Sequence, residues 1–385
     1  MIKREALECA LFCLQMSGQD PYKLQTLFSK FVNGIWLIFI IIFTPCIVTE
    51  IFAGSDELTN IADAASNIFI YVAAIYKVWN LLRGRQIIIE LVTQLDDFWT
   101  SDVFDRDWKR NFEISTDRKV VKVCKLVGGL YISCGVYYAV RPLFLQRKVW
   151  PVSVYVIPAI NNISGSYCIM YMVETVLILL IAFNMTGHDS LIFTLVYYAV
   201  LELRALQKAL KDLIAHEDNE DELLRKLKIY VKCHDKLHKY IEKVNELFSL
   251  FFLYQFFFTT IGICIAIFIM SISISTFHYD DVFKFVLQTM CVYVQMTLYC
   301  KGGSDLAYES EALGQAIYES DWTSACQPKV RKMMITIIHR SQKTARLNAG
   351  GLFDMNLNSL TSAAKATFSY FTLLRTLYTK HNLYK

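Results

Sequence analysis

Residues 248–272 read FSLFFLYQFFFTTIGICIAIFIMSI, a run of 25 residues without a charged side chain. An α-helix rises about 1.5 Å per residue, so a helix of this length spans about 37 Å, more than the roughly 30 Å hydrocarbon core of a bilayer. A helix at the surface of a soluble domain keeps one polar face, and this run has none. The run therefore predicts a helix that crosses a membrane.

Further apolar stretches of similar length occur on both sides of this run. The clearest are Phe31–Phe52, Ala64–Leu82, Leu126–Leu145, Tyr167–Met185 and Val282–Cys300. A weaker one, Leu352–Tyr378, is interrupted by three charged residues. With 55% apolar residues and a mean hydropathy of +0.35, the whole chain agrees with a membrane protein. We predict an all-α membrane protein with seven transmembrane helices.

Hydropathy alone does not determine the length of the fourth span. From Tyr167 to Leu206 the sequence is almost continuously apolar except at Gly187, His188 and Asp189, so it forms one helix extending beyond the membrane or two short spans. The distribution of basic residues favours one long helix. With seven spans, 30 of the 39 Lys and Arg residues fall in the N-terminus, the 83–125 loop and segments 204–243 and 301–346, all on one side.

Basic loops stay on the cytoplasmic side of membrane proteins. The N-terminus is therefore predicted to be cytoplasmic and the C-terminus extracellular, and an eighth span would reverse the later loops. In this arrangement the glycosylation candidate Asn162, in the triplet Asn162-Ile163-Ser164, lies outside.

The chain has no motif that indicates an enzyme, a metal site or a cofactor. Phosphate-binding glycine loops, nucleophile elbows and paired cysteine knuckles are absent from the sequence. The nearest metal-like pattern is His234 and His238, four residues apart, but Asp235 stands where the zinc-protease pattern needs a glutamate base. We predict a non-enzyme without metal or cofactor.

The weaker seventh span has a polar stripe. Its members recur every three or four residues, as the wall of a water-filled path or a polar helix contact would require. They are Asp354, Asn358, Ser362, Lys365, Ser369 and Thr372 or Thr376.

The last 80 or so residues resemble the C-terminal signature of the insect odorant receptors. This signature is a glutamate–serine pair after the sixth helix, then an aromatic residue and a tryptophan, and a closing Ser-Tyr-Phe with a leucine pair. Here these elements are Glu309-Ser310, Tyr318 to Trp322 and Ser369-Tyr370-Phe371-Thr372-Leu373-Leu374. The related gustatory receptors end in a different motif, which this chain lacks.

The resemblance implies an odorant receptor subunit that binds a small volatile ligand and gates a non-selective cation channel. The channel would be a heterotetramer with shared co-receptor subunits, in the plasma membrane of olfactory sensory neurons, and the seventh helix of each subunit would line the central pore. Residues 1–300 would hold helices one to six and the odorant pocket, with residues 190–247 contributing to a cytoplasmic anchor; 301–351 would be anchor, and 352–385 the pore helix and tail. The chain lacks the long second cytoplasmic loop of the co-receptor, so it resembles the odorant-specific subunit.

The resemblance also implies particular site residues. The pore gate would be Leu373 and Leu377, with Lys365, Ser369, Thr372 and Thr376 lining the pore. The odorant pocket would lie within helices two, three, four and six. Its candidate residues are Ile68, Tyr71, Val72, Ser133, Val136, Tyr137, Met170, Tyr171, Glu174, Met290 and Tyr293.

Two other functions are alternatives, and the predicted orientation rejects the first of them. A G-protein-coupled chemoreceptor also has seven spans but needs the opposite orientation. A membrane channel or transporter without an odorant ligand is the second alternative.

Overall fold

The computed structural model describes residues 4–54, 58–97, 106–144, 150–152, 165–216, 219–275, 279–319 and 328–383. Almost all of this part of the chain is helical. In chain order the α-helices are α1 (Glu5–Met16), α2 (Leu27–Ile38), α3 (Thr44–Thr49), α4 (Leu58–Arg83), α5 (Arg85–Asp97), α6 (Arg106–Phe144), α7 (Ser166–His216), α8 (Glu220–Ser275), α9 (Tyr279–Tyr318), α10 (Pro328–Ser341) and α11 (Leu357–Leu383). An antiparallel hairpin precedes α11, and its strands β1 (Asn348–Ala349) and β2 (Phe353–Asp354) have two residues each.

The seven predicted spans coincide with seven long helical segments. The first is α2 and α3 joined by the π-helical turn Phe39–Phe43 and followed by a second turn, Glu50–Gly54. The others are α4, α6, α7, α8, α9 and α11. By length and composition, the first five of these segments are able to cross a membrane. The more polar α9 and α11 do not meet this criterion and coincide with the predicted sixth and seventh spans.

The fourth span is a single helix. α7 runs through Gly187 without a break for 51 residues, which corresponds to about 76 Å and exceeds the bilayer core by far. α8 is similar, since its first half is charged and its second half is the apolar run 248–272. Each helix therefore continues well beyond the membrane and packs there with the end of α9 and with α10, around the largest apolar core of the described residues.

The glycine in the middle of α7 allows the N-terminal helix to approach. A Cβ at Gly187 would lie 2.8 Å from the backbone nitrogen and side chain of Leu14, so any larger residue would push α1 away. α1 is also fixed at its beginning, where Asp117 of α6 accepts hydrogen bonds from the backbone nitrogens of Glu5 (3.0 Å) and Ala6 (3.3 Å). The N-terminal helix is thus an integral part of the bundle.

The last helix begins later than the sequence indicated. Asn356 caps α11 by accepting a hydrogen bond from the backbone nitrogen of Ser359 at 2.9 Å. Asp354, which the sequence pattern placed on the polar stripe of this helix, lies in the hairpin instead and pairs with Arg346 at 2.8 Å. The proposed domain boundary at residue 300 falls inside the continuous helix α9.

Candidate functional site

A cavity lies between α4, α6, α7 and α9, the second, third, fourth and sixth spans. The space that the centre of a water-sized molecule can occupy in it is about 120 Å³. By the same measure, a single water molecule needs only about 10–15 Å³. Its walls are mostly apolar, as is usual for sites that bind small organic molecules. The lining residues are Asn67, Ile70, Tyr71, Tyr131, Cys134, Gly135, Tyr138, Val152, Ile178, Ile181, Ala182, Met185, Gln288, Cys291, Val292 and Gln295.

The polar side chains of this wall are held by other parts of the protein. Tyr138 donates a hydrogen bond to the side-chain oxygen of Gln288 at 2.8 Å, and the Gln288 amide donates to Ser66 at 2.7 Å. These bonds join α6, α9 and α4 across the bundle. The cavity therefore offers a ligand mainly apolar contact.

A buried carboxylate lies at one end of the cavity. Asp189 of α7 accepts hydrogen bonds from Tyr131 at 3.0 Å and from Gln295 at 2.7 Å, and both of these residues also line the cavity. Tyr299 donates to the same carboxylate, and Lys77 forms an ion pair with it. Asp189 is 2% exposed and Lys77 is fully buried. A buried charge needs such a set of partners, because burying an unpaired charge costs much more free energy than a single hydrogen bond contributes.

Aromatic rings pack against this Asp189 cluster, which consists of Lys77, Tyr131, Asp189, Gln295 and Tyr299. The Lys77 ammonium lies 5.6 Å from the ring centre of Phe251, and the His188 ring packs edge-on against the same ring at 4.7 Å. The cluster joins α4, α6, α7 and α9, and α8 closes it from the side. Tyr131 and Gln295 therefore connect the cavity wall to this cluster.

One of the predicted ligand-binding residues lines the cavity, and the others lie around it. Tyr71 is buried in the wall, with its ring 5.0 Å from that of Phe39. Glu174 is buried beside the cavity and accepts a hydrogen bond from the backbone nitrogen of Val152, which lines it. Tyr171 donates to the backbone oxygen of Ala139. Ile68 and Met170 are partly buried and pack against the apolar cluster that contains Tyr71, and Val72 is also partly buried.

The remaining candidates lie on other faces of α6 and α9. Met290 and Tyr293 are 52% and 46% exposed. The residues of α9 that line the cavity are on another face of the helix, and they are Gln288, Cys291, Val292 and Gln295. On α6, Ser133 and Val136 are exposed, and Tyr137 contacts the start of α9, donating to the backbone oxygen of Asp280 at 3.3 Å.

Sequence reasoning missed Tyr138, Gln288 and Gln295 because it selected aromatic and aliphatic residues. A better signal was present. Gln288 and Gln295 lie seven residues apart in an apolar span, hence on one face, and polar side chains in a span face the protein interior.

Along α11, a narrow stripe packs against α8, the start of the helix contacts α9, and most of the remaining surface is exposed. Thr367 donates to the backbone oxygen of Thr260 at 3.5 Å, and the ring of Tyr378 lies 5.8 Å from that of Phe268. The predicted gate residues Leu373 and Leu377 are 55% and 56% exposed. The predicted pore-lining residues Lys365, Ser369, Thr372 and Thr376 are also exposed.

The histidine pair His234 and His238 lies on the first half of α8. Asp235 between them pairs with Lys239 at 3.1 Å and with Arg340, so its carboxylate is engaged. Burial, followed by the neighbouring His238, lowers the pKa of His234 to about 4. Among the described residues there is no group of three side chains able to hold a metal ion. The glycosylation candidate Asn162 lies outside the described residues.

Similarity to known proteins extends over most of the chain. A family model described as 7tm Odorant receptor matches residues 57–368. Odorant receptor Or2 of Anopheles gambiae is 24% identical over 269 residues, covering 68% of this chain and 69% of the relative. Odorant receptor 10 of Aedes albopictus is 22% identical over 316 residues, covering 80% and 82%.

Solved structures show the same fold. The insect olfactory receptor OR5 from Machilis hrabei superposes with a TM-score of 0.84 at 18% identity, covering 96% of this chain and 97% of that one. The same receptor in complex with eugenol gives a TM-score of 0.81 at 17% identity, covering 97% and 98%.

Proposed function

This chain belongs to the 7tm odorant receptor family, and from that premise we propose that it is the odorant-specific subunit of an odorant-gated cation channel. Family membership makes it an odorant receptor of the membrane. The finer parts of the proposal are the ligand site, the pore, the partner subunits and the location in the cell.

The observation that carries the proposal is the cavity between α4, α6, α7 and α9. It is lined by four helices, mostly apolar and large enough for a small organic molecule. Such a site binds a volatile mainly by shape and apolar contact, and it distinguishes ligands by about 1–3 kcal/mol per methylene. The complex of the Machilis hrabei receptor with eugenol supports a small odorant as ligand. We place Tyr71, Tyr138, Ile178, Cys291 and Val292 in the binding wall.

For the pore we propose α11, with Leu373 and Leu377 as the gate. Four copies of this helix around one axis would bring these leucines together, and an apolar constriction closes a pore because water leaves it. The exposure of both leucines in the single chain supports this role. Lys365, Ser369, Thr372 and Thr376 would line the path.

The remaining parts follow the pattern of the family. The other subunits would be shared co-receptors in a heterotetramer, located in the plasma membrane of olfactory sensory neurons. The clustering of Lys and Arg in the N-terminus and in segments 204–243 and 301–346 supports a cytoplasmic N-terminus and an extracellular C-terminus.

The test is to record odorant-evoked current from cells that express this chain alone, a co-receptor alone, or both. We expect a current whose odorant preference depends on this chain and appears only when both subunits are present. A response that requires G-protein signalling would contradict the proposal. The absence of a response to every odorant class, with both subunits at the cell surface, would also contradict it.

A further inference from the structure

A second cavity lies beside the first, between α4, α8 and α9. About 50 Å³ of it is open to the centres of water-sized molecules, enough for a group of a few atoms. Gln288 and Gln295, together with Ile70, Met185 and Val292, line both cavities, so the two cavities adjoin along these side chains. The second cavity has polar residues of its own, namely Ser66, Gln255, Thr259 and Thr289.

The orientation of the Gln255 amide is fixed by the Asp189 cluster. The Asp189 carboxylate only accepts hydrogen bonds, so Gln295 must turn its NH₂ group toward it, at 2.7 Å. The Gln295 oxygen then faces Gln255, which must present its own NH₂ group, at 2.9 Å. The same NH₂ group donates to Thr259 at 2.9 Å. An amide can be reversed only if its partners allow it, and here a charged group prevents it.

The consequence is an acceptor without a donor. The Gln255 side chain is 5% exposed, and its oxygen has no hydrogen-bond partner among the residues that the structure describes. The hydroxyl of Thr289, on the wall of the same cavity, is also buried and has no partner in the described part of the chain. Leaving a buried polar group unpaired costs about 1–3 kcal/mol. A small group that donates a hydrogen bond would recover this cost.

The first cavity makes no comparable demand. The side-chain oxygen of Gln288 already accepts from Tyr138, and its amide already donates to Ser66. Gln295 is engaged on both ends by Asp189 and Gln255. An apolar body fits the first cavity without leaving these groups unpaired, and a donor fits the second.

We propose that the two cavities form one bipartite site for a volatile alcohol or phenol, with the apolar body in the first cavity and the hydroxyl bound by Gln255 and Thr289 in the second. This inference rests on the proposed odorant-binding function and names the ligand class. A hydroxyl is required because an ether oxygen or a hydrocarbon has no hydrogen to donate to the Gln255 oxygen. Sites built for a hydroxyl reject the analogue that lacks it more strongly than an apolar pocket rejects a methylene.

The experiment compares matched probes on receptors expressed with the co-receptor. The probes are primary alcohols of four to ten carbons and eugenol, each paired with its methyl ether, together with esters and alkanes. In the wild-type receptor we expect alcohols or phenols to be the most potent class, with half-maximal concentrations about ten-fold below those of their ethers, as one buried hydrogen bond of about 1.4 kcal/mol would give.

Two variants and a control test the residues. Thr289→Val keeps the size of the side chain and removes the hydroxyl, and Gln255→Met removes the amide. Each should raise the half-maximal concentration of the alcohols about ten-fold and change that of the ethers less than two-fold. The control is Thr297→Val on the same helix, whose hydroxyl bonds to the backbone oxygen of Tyr293 and lines neither cavity. It should change neither class.

The possible outcomes separate this inference from the proposed function. Current evoked by esters or alkanes but by none of the alcohols, or equal shifts for alcohols and ethers in Thr289→Val, would overturn the hydroxyl site and leave a cavity that holds water at most. Silence toward every class, with both subunits at the surface, would instead contradict the odorant-gated channel itself. If Gln255→Met does not reach the surface, Thr289→Val alone decides.

Discussion

Replacing Asp189 by leucine would remove the charge on which the centre of the bundle depends. Its partner Lys77 is fully buried, and Tyr131, Tyr299 and Gln295 would lose the same acceptor at once. We therefore expect Asp189→Leu to be among the most damaging single changes in the protein.

The magnitude follows from the burial of both partners. Removing one partner of a buried ion pair costs about 3–5 kcal/mol, because the other charge stays buried without compensation. Native domains are stable by only about 5–15 kcal/mol, so this loss is a large part of the total. Lys77→Met should cost less, since the Asp189 carboxylate keeps three hydrogen-bond donors. The double variant Lys77→Met/Asp189→Leu should recover much of the stability, because no isolated charge remains.

The assay is the amount of receptor at the cell surface, together with the melting temperature of detergent-solubilised protein followed by fluorescence-detected gel filtration. The expected order places the wild type first and Asp189→Leu last, with Lys77→Met and the double variant between them. The control is Asp212→Leu on the same helix, whose exposed pair with Lys208 should contribute less than about 1 kcal/mol. If Asp189→Leu behaves like this control, or if the double variant is no better than Asp189→Leu, the ion pair does not hold the bundle and the reasoning fails.

Three other predictions concern the topology, the pocket and the gate. A C-terminal tag should bind antibody on intact cells while an N-terminal tag should not; the reverse labelling would contradict the orientation derived from the basic residues. Tyr71→Ala should raise the half-maximal odorant concentration about ten-fold at unchanged surface expression, because it removes ring contacts from the cavity wall. The control is Tyr293→Ala, on an exposed face, which should leave the dose-response curve unchanged. Equal effects of the two substitutions would mean that Tyr71 does not line the pocket. Leu373→Ser and Leu377→Ser should give a current without odorant, since a polar side chain lowers the cost of wetting the constriction; wild-type baseline, evoked current and ion permeability in both variants would mean that this face of α11 does not line the pore.

Much of the fold is readable from the sequence because the membrane imposes a simple rule. Every backbone group within the bilayer must be satisfied inside the chain, so long apolar runs must be helices, and their positions alone located the seven long helical segments. The continuity of α7 through Gly187 was favoured by charge and is confirmed by the structure. The docking of α1 was not predictable. It depends on a contact between Leu14 and Gly187, far apart in sequence, and on space that only a glycine leaves.

The sequence predicted which helices surround the pocket but not which of their residues line it. The cavity lies between the helices expected from the family resemblance, yet Tyr71 alone of the candidates lines it. Hydropathy gives the position of a span along the chain but gives its rotation poorly when all faces are apolar. The rotation of α9 is set instead by its polar residues, since Gln288 and Gln295 must find partners inside the bundle. The polar minority of each span therefore carries more information about the site than its aromatic majority.

The residues that α11 leaves uncovered also bear on the position of the pore. In the single chain, α11 leaves Leu373, Leu377 and most of its polar residues uncovered, and either lipid or other subunits would cover them. The threonines do not distinguish these cases, because Thr372 and Thr376 donate to backbone oxygens of their own helix at 2.8 Å and could face lipid at little cost. Lys365 does distinguish them. An exposed ammonium within a span is expensive in hydrocarbon and inexpensive beside water, so the side of α11 that carries Lys365 is the side we infer to face the aqueous path.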